Sequence, residues 1–363
     1  MGWKVDVLVN RVIGIRKLLR AGLKSLRGYR VIDESGLRVI RSVYLKIPGN
    51  EKLNIERWSR QTRSLYGKYE KKYGRPDLIL AHSVTWAGYA AWLIREWYDV
   101  PYIVVEHRSY FVWSTREARE LVRPFHIPFY EMAYRNCGKL VLVSESLMTG
   151  LKELLPWIGE KTMVIPNMIR KDMFLPPGRP RKVDPFIFLW AGRLEHVKGV
   201  DLLIEAVSLL KQRTTRSFAV RLAGRGNLRS ELERQAERFE VADRVRFLGR
   251  ISRDAIQEEM QRASCLVLPS RYEAFGAVLI EAMATGLPVI ATRSGGPDFI
   301  VTKETGMLID PENSEQLAVA MEKMMDDYNS FSPEIIRAKT MKQYGQARVM
   351  EQYNKLFMKI LEQ

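Results

Sequence analysis

Strand-like and helix-like segments alternate twice along this chain, and a proline-rich break separates the two series. In the first, strands are expected at 5–9, 37–43, 78–82, 102–106 and 139–144, with helical spacing at 55–73, 87–98 and 146–155. Pro176-Pro177-Gly178-Arg179-Pro180-Arg181 then interrupts all periodicity. The second series places strands at 186–191, 218–223, 245–248, 265–268 and 289–292, and helices at 200–213, 228–239, 253–262, 278–285 and 314–326. A parallel connection must cross back over its sheet, so strands alternating with helices build parallel sheets covered on both faces. The fold class is therefore α/β, with two doubly wound units facing each other across a cleft. With 363 residues there is chain for two cores. The expected boundaries are 1–178, 179–342 and a closing helix at 343–363, whose stripe Val349, Tyr353, Leu356, Phe357, Ile360 and Leu361 suits packing back on the first unit.

Lys and Arg number 58 against 42 acids, a net charge of +16, which calls for an anionic partner. The cations are dispersed and no nucleic-acid recognition motif is visible, so nucleic acid is not the expected partner. Phosphorylated ligands and an acidic membrane surface remain. Between 11 and 27, Ile15, Leu18, Leu19, Leu23 and Leu26 recur at helical spacing with Arg16, Lys17, Arg20, Lys24 and Arg27 among them. This reads either as a solvated helix flank or as a basic amphipathic helix on an anionic bilayer, and Gly14 and Gly22 weaken it. The start lacks a long apolar stretch, so no cleavable signal is expected. The longest uncharged run, 78–94, holds His82, Ser83, Thr85 and Gly88 and reads as a buried strand followed by a helix. Cys137 and Cys265 supply neither a disulfide framework nor metal-ligand spacing; they read as buried thiols in a reducing compartment. A cytoplasmic protein is expected, with peripheral attachment to the inner membrane face left open.

In open α/β sheets, ligands bind outside the carboxyl ends of the strands, so the loops there carry the chemistry. The strand 186–191 runs into Gly192 and Arg193, and Lys198-Gly199 precedes the next helix. Two cations at such a turn suit a diphosphate. Gly224-Arg225-Gly226 repeats the pattern, although by itself it is a plain strand-to-helix turn. The densest stretch is 269–290. Its loop presents Glu273, and a helix starting near Phe275 or Gly276 offers unpaired amides and a positive dipole end. Glu281 stands among Val278, Leu279, Ile280, Ala282 and Met283. A carboxylate on so apolar a helix needs a partner, either sugar hydroxyls or a neighbouring Arg.

Glu273 and Glu281, with seven residues between them and Ala282-Met283-Ala284-Thr285-Gly286-Leu287-Pro288-Val289-Ile290-Ala291 following, resemble the signature of family-4 glycosyltransferases. The likeness extends to Gly192-Arg193 with Lys198-Gly199, Gly224-Arg225-Gly226, Val245-Arg246-Phe247-Leu248-Gly249, Gly295-Gly296, Gly306 and Val164-Ile165-Pro166-Asn167. It covers the second half and, more thinly, the first. It implies the GT-B fold and a retaining hexosyl transfer from a UDP- or GDP-sugar to a polysaccharide, lipopolysaccharide or lipid-linked acceptor. No resident cofactor or metal is implied, because cations would steady the leaving diphosphate.

By the same resemblance, Arg193 and Lys198 would neutralise that diphosphate, and Glu273 would contact the transferred sugar. Phe275, Gly276 and Ala277 would offer backbone amides. Glu281 would hold the ribose, and Leu248, Gly249 and Arg250 would flank the base. Gly192, Gly224 and Gly226 would line the donor side. His82 and His107 end successive strands of the first half and resemble positions facing sugar or acceptor; a lone histidine is otherwise an ordinary hydrogen-bonding residue. The family pattern begins with a strand, a glycine-rich loop and a helix ahead of the segment at Trp3–Leu8, and this chain has no counterpart. An absent strand would leave a sheet edge exposed. The alternative reading is a truncated or degenerate GT-B protein that binds nucleotide sugar without transfer.

Overall fold

The computed structural model describes residues 2–15, 28–34, 36–112, 116–181 and 183–362. In the first lobe, β1 (Asp6–Ile13) pairs in parallel with β3 (Leu37–Leu45), and β2 (Tyr29–Glu34) pairs with β3 in antiparallel register. The helix expected from 11 is corrected at its start. Residues 11–13 continue β1, where Val12 and Ile13 lie opposite Tyr44 and Leu45, as β-branched side chains favour. Ile15 is helical as expected, and the rest of that pattern, including the membrane reading placed on it, falls on 16–27, outside the described residues.

Helix α1 (Glu51–Tyr73) starts four residues earlier than its apolar spacing suggests, because the Asn50 side chain accepts from the Leu53 amide and caps it. A second sheet follows, built from β4 (Ile79–His82), β5 (Tyr102–Glu106), β6 (Lys139–Leu142) and β7 (Thr162–Val164), parallel throughout. The helices α2 (Tyr89–Tyr98), α3 (Arg116–Glu120), α4 (Ile127–Arg135) and α5 (Leu147–Leu154) complete this lobe. The uncharged run 78–94 is β4, one π-helical turn (Val84–Gly88) and the start of α2, and no helix among the described residues is long and apolar enough to cross a membrane.

The single parallel sheet expected for the first series is thus two sheets. One has the order β1-β3-β2, and the other β4-β5-β6-β7. The antiparallel strand comes from a tight hairpin: Gly36 takes φ +81° and its N–H donates to Asp33 Oδ1 at 3.0 Å. Among the described residues β1 and β4 are both edge strands. One apolar cluster joins the two sheets, with Leu8, Ile40 and Ile79 packed against Leu65, Tyr66 and Tyr69 of α1 and Ile94 of α2.

The second lobe is one six-stranded parallel sheet in the order β10-β9-β8-β11-β12-β13. Its strands are β8 (Phe186–Arg193), β9 (Phe218–Arg225), β10 (Val245–Gly249), β11 (Cys265–Leu268), β12 (Val289–Thr292) and β13 (Gly306–Ile309). Helices α6 (Val200–Arg213), α7 (Arg229–Arg238), α8 (Arg253–Arg262), α9 (Ala277–Ala284) and α10 (Ser314–Asp326) alternate with them. The chain moves outward from β8 to β10 and then returns to β11 on the other side of β8. The strand order therefore reverses between β8 and β11, the switch point at which such sheets open a crevice.

Two last helices, α11 (Pro333–Tyr344) and α12 (Gln346–Leu361), return to the first lobe. The Ile169 N–H donates to Tyr344 O and its carbonyl accepts from Gln346 N–H across this return, Trp3 stacks edge-on to Phe357, and Ile360 packs over Gly138. Val104, Val141 and Leu142 share one buried cluster with Leu279, Tyr344 and Val349, so the apolar core is continuous from lobe to lobe.

Candidate functional site

At the switch point, the loop after β8 delivers Lys198 and the loop after β11 delivers Glu273. They meet: Lys198 Nζ lies 2.5 Å from Glu273 Oε2, both largely buried, although 75 positions separate them in sequence. A residue that the sequence reading left without a role holds the two loops together. Arg271, 6% exposed, donates to both carboxylate oxygens of Asp201 (3.0 and 2.6 Å), to the carbonyl of His196 (2.6 Å) and to Glu312 (3.2 Å). Its amide also bonds Val197 O at 2.9 Å. Asp201 and His196 flank Lys198, so this guanidinium fixes the spacing of the Lys198–Glu273 pair. The carboxylate of Asp201 is held below its usual pKa by Arg271 despite its own burial. The available signal was an arginine just past the apolar strand Cys265–Leu268.

Glu273 is also pinned through its main chain. Its N–H donates to Ser294 O (2.8 Å), and its carbonyl accepts from Gly296 N–H (2.7 Å). Helix α9 starts just beyond, capped by Gly276 at φ +92°, a conformation that disfavours any side chain. Its leading amides have no acceptor within the helix, an arrangement suited to an anion. Glu281 is half-buried one helical face further on. Burial raises its pKa, and Arg253 Nη2 is 3.8 Å away on an exposed side chain, so the neighbouring arginine meets its need only partly.

Arg193 is exposed and paired with Glu195 at 2.9 Å. Gly224 and Gly226 are glycine for a packing reason. A Cβ on Gly224 would overlap Gly192 O, and one on Gly226 would overlap Leu194 O, because the ends of β8 and β9 abut. Leu248 and Gly249 sit where β10 slips register against β9, with Gly249 at φ +69° and Arg250 exposed beyond it.

In the first lobe, β4 and β5 lie side by side and present His82 and His107 together. His82 Nδ1 and His107 Nε2 are 2.9 Å apart with near-parallel rings. Loss of water lowers both pKa values, that of His107 to about 4, helped there by His82. Both rings are therefore neutral at pH 7, one donating and one accepting. Glu106, fully buried, organises them: its carboxylate accepts from the amides of Val84 (3.1 Å), His107 (3.0 Å) and Arg108 (3.0 Å) and from Tyr134 Oη–H (3.1 Å). Burial raises its pKa while Arg108 and these donors oppose the rise. Ser83, between His82 and Val84, is forced to φ +73° with its hydroxyl buried and unpartnered.

The lobes touch beside these loops. Ser144 Oγ donates to Ala274 O, and Gly295, paired with Glu273, has no room for a side chain because Val112 and Ser146 stand against it.

Residues 2–172 match Glycosyltransferase Family 4, and residues 175–348 match the glycosyl transferases group 1 family. The glycogen synthase of Mycobacterium tuberculosis is 31% identical over 263 residues, covering 70% of this chain and 61% of that protein. A D-inositol 3-phosphate glycosyltransferase of Corynebacterium jeikeium is 27% identical over 333 residues, covering 84% of this chain and 77% of that one. The match thus spans about three-fifths of the glycogen synthase's length. Among solved structures, sucrose-phosphate synthase from Thermosynechococcus elongatus superposes with a TM-score of 0.81 at 22% identity, covering 99% of this chain and 90% of that one. Anabaena HepE, solved with UDP-glucose, superposes at 0.72 with 17% identity, covering 98% and 99%. The reversal of strand order, the glutamate pair and both family matches lead to one assignment: this chain belongs to the family-4 glycosyltransferases, with the two-lobed GT-B fold.

Proposed function

We propose that this protein is a retaining glycosyltransferase that moves a hexose from a UDP- or GDP-sugar to a polysaccharide, lipopolysaccharide or lipid-linked acceptor. The observation that carries the reading is the Lys198–Glu273 pair at the switch point, beside the amide end of α9. When the bond from the sugar's anomeric carbon to phosphate breaks, its electrons go to the diphosphate and positive charge grows on the sugar. Lys198, Arg193 and the amides of Phe275, Gly276 and Ala277 are the groups that stabilise the first charge, and the Glu273 carboxylate the second. The acceptor oxygen bonds the same carbon on the face that the diphosphate leaves, and its proton passes to a phosphate oxygen. Glu281 takes the ribose hydroxyls, and neutral His82 and His107 can donate to or accept from sugar hydroxyls without adding charge. The fold shared with HepE, which binds UDP-glucose, supports UDP among the donors. A lipid-linked acceptor would bring the enzyme to the cytoplasmic face of a membrane.

The test is a transfer assay with purified protein over a panel of nucleotide sugars. Lys198→Ala and Glu273→Ala should each lower kcat by about 100-fold or more. Glu281→Ala should mainly raise the donor KM, by about tenfold. Full turnover in both glutamate variants would overturn the site assignment. Nucleotide-dependent thermal stabilisation without transfer to any acceptor would favour the binding-only alternative.

A further inference from the structure

The charge of +16 is not confined to the cleft. Helix α1 alone carries seven Lys and Arg against three acids. At about 100° per residue, Arg57, Arg60, Lys68, Lys71 and Lys72 fall within one arc of roughly 120°, shared with Leu53, Asn54, Gln61 and Ser64 and free of acids. All five are exposed, and none lies within ion-pair distance of a carboxylate among the described residues; Arg75, past the helix end, reaches Asp99 at 4.0 Å. By contrast, α7, α8 and α12 pair opposite signs one turn apart, as in Arg229–Glu233, Arg262–Glu258 and Lys355–Glu351. Of the three acids on α1, Glu51 is turned to His126 and Glu70 accepts from Tyr66. Beside the stripe stands Trp97 of α2, 68% exposed, with the Arg63 guanidinium 4.1 Å from its ring centroid.

We infer that this face of α1, with Trp97, docks on an anionic lipid surface. The inference is independent of the donor and acceptor reading, since no residue of the cleft takes part. From Arg57 to Lys72 the stripe runs about 22 Å along the 23-residue helix, and a bilayer offers a plane of headgroup charge that every cation on it can reach at once. An indole beside that plane sits where tryptophans settle, at headgroup depth. A duplex fits the same charge poorly. The opposite face of α1, with Ile55, Trp58, Leu65, Tyr66 and Tyr69, is buried against the body, so the helix cannot enter a groove about 12 Å wide. Single strands are gripped by successive aromatic platforms, and this face offers one exposed ring.

The experiment is flotation of the full chain with vesicles of about 30% phosphatidylglycerol in phosphatidylcholine, and with phosphatidylcholine alone. Wild type should bind the anionic vesicles, lose them at high salt, and ignore the neutral ones. The triple variant Arg60→Glu, Lys68→Glu, Lys71→Glu should lose at least about 100-fold in partitioning, and Trp97→Ala several-fold. A control with the same net charge, Lys303→Glu, Lys342→Glu, Lys359→Glu, should stay within about twofold of wild type. Thermal unfolding checks that each variant is folded, and the replaced side chains are exposed. Three outcomes overturn the proposal: equal binding to neutral vesicles, undiminished binding by the α1 triple variant, or equal loss in the control, which would make net charge the cause. Displacement from vesicles by stoichiometric DNA or RNA would also overturn it, in favour of a nucleic-acid surface.

Discussion

The two lobes hold their site loops by different means. In the second, the chain turns left-handed at glycines: Gly199 after β8, Gly249 ending β10, Gly276 after β11 and Gly295 after β12, with φ of +62°, +69°, +92° and +116°. A buried arginine then locks two of those loops to each other. In the first lobe the corresponding bend beside His82 is made by Ser83, and the lock is a buried carboxylate, Glu106, that gathers amides from two loops. One lobe relieves backbone strain by omitting side chains. The other tolerates the strain and holds it with an anion.

The contrast is broken most directly by removing each lock. Arg271→Ala leaves Asp201 without its bidentate partner and loosens the hold on Lys198 and Glu273. Breaking a buried pair from one side costs about 3–5 kcal/mol, so chemical denaturation should show a loss of that order, with transfer falling further than stability alone explains. Arg271→Lys should recover less than half of it, because an ammonium cannot repeat the fork. Glu106→Gln comes next. The amide has one accepting oxygen for four donors and turns its own N–H groups toward the rest, at a cost of about 2–3 kcal/mol. If Arg271→Ala unfolds no more readily than Glu106→Gln, the two locks are equivalent and the comparison loses its force.

The same contrast explains what the sequence disclosed. The second lobe was legible strand by strand, since glycine at a strand end and an apolar run before it are both local signals, and Glu281 stood out as a lone acid on an apolar helix. Its last strand, β13, went unread because Gly306–Ile309 is short and has no alternation. In the first lobe, β2 and β7 were missed and residues 11–13 were misread as helix, because those residues pair in parallel with a strand 32 positions away and no local signal announces it. Glu106 ends the strand expected at 102–106, yet nothing local says that a glutamate there is fully buried. The pairing of Lys198 with Glu273 was equally hidden: both were named as site residues, but their meeting follows from the reversal of strand order between β8 and β11.

A smaller effect should appear on titration. The pKa of His107 is lowered in the folded state to about 4, and that of His82 moves the same way. Between that value and the ordinary 6.5, the unfolded chain binds more protons than the native one, so stability rises with pH across this window and is fully present above it. Wild type should lose thermal stability as pH falls from 6.5 toward 4. Arg108 and the buried Glu106 lie close by, so the useful measurement is the difference from His107→Gln. That variant should show the shallower slope; identical slopes would mean that the imidazole pair contributes nothing to the dependence.

The least effect, and the sharpest on the comparison, is expected at Ser83. Its φ of +73° with ψ of +138° is a region that glycine enters freely and a side chain does not, and its hydroxyl is buried without a partner. The bend is imposed from outside: the Ser83 amide donates to Val105 O at 2.7 Å and the next amide to Glu106, so both flanks are tied to β5. Ser83→Gly removes the strain and the orphan hydroxyl but leaves the unfolded chain freer, and these act in opposite directions. The balance should favour the variant by about 1 kcal/mol, about 2 °C in thermal midpoint. Made together with Glu106→Gln, the glycine should recover more than it adds alone, because a bend that glycine accepts freely needs less of the carboxylate's hold. Strict additivity would show that Glu106 orients the histidines without holding the strained bend, and the first lobe would then differ from the second only in its choice of residues.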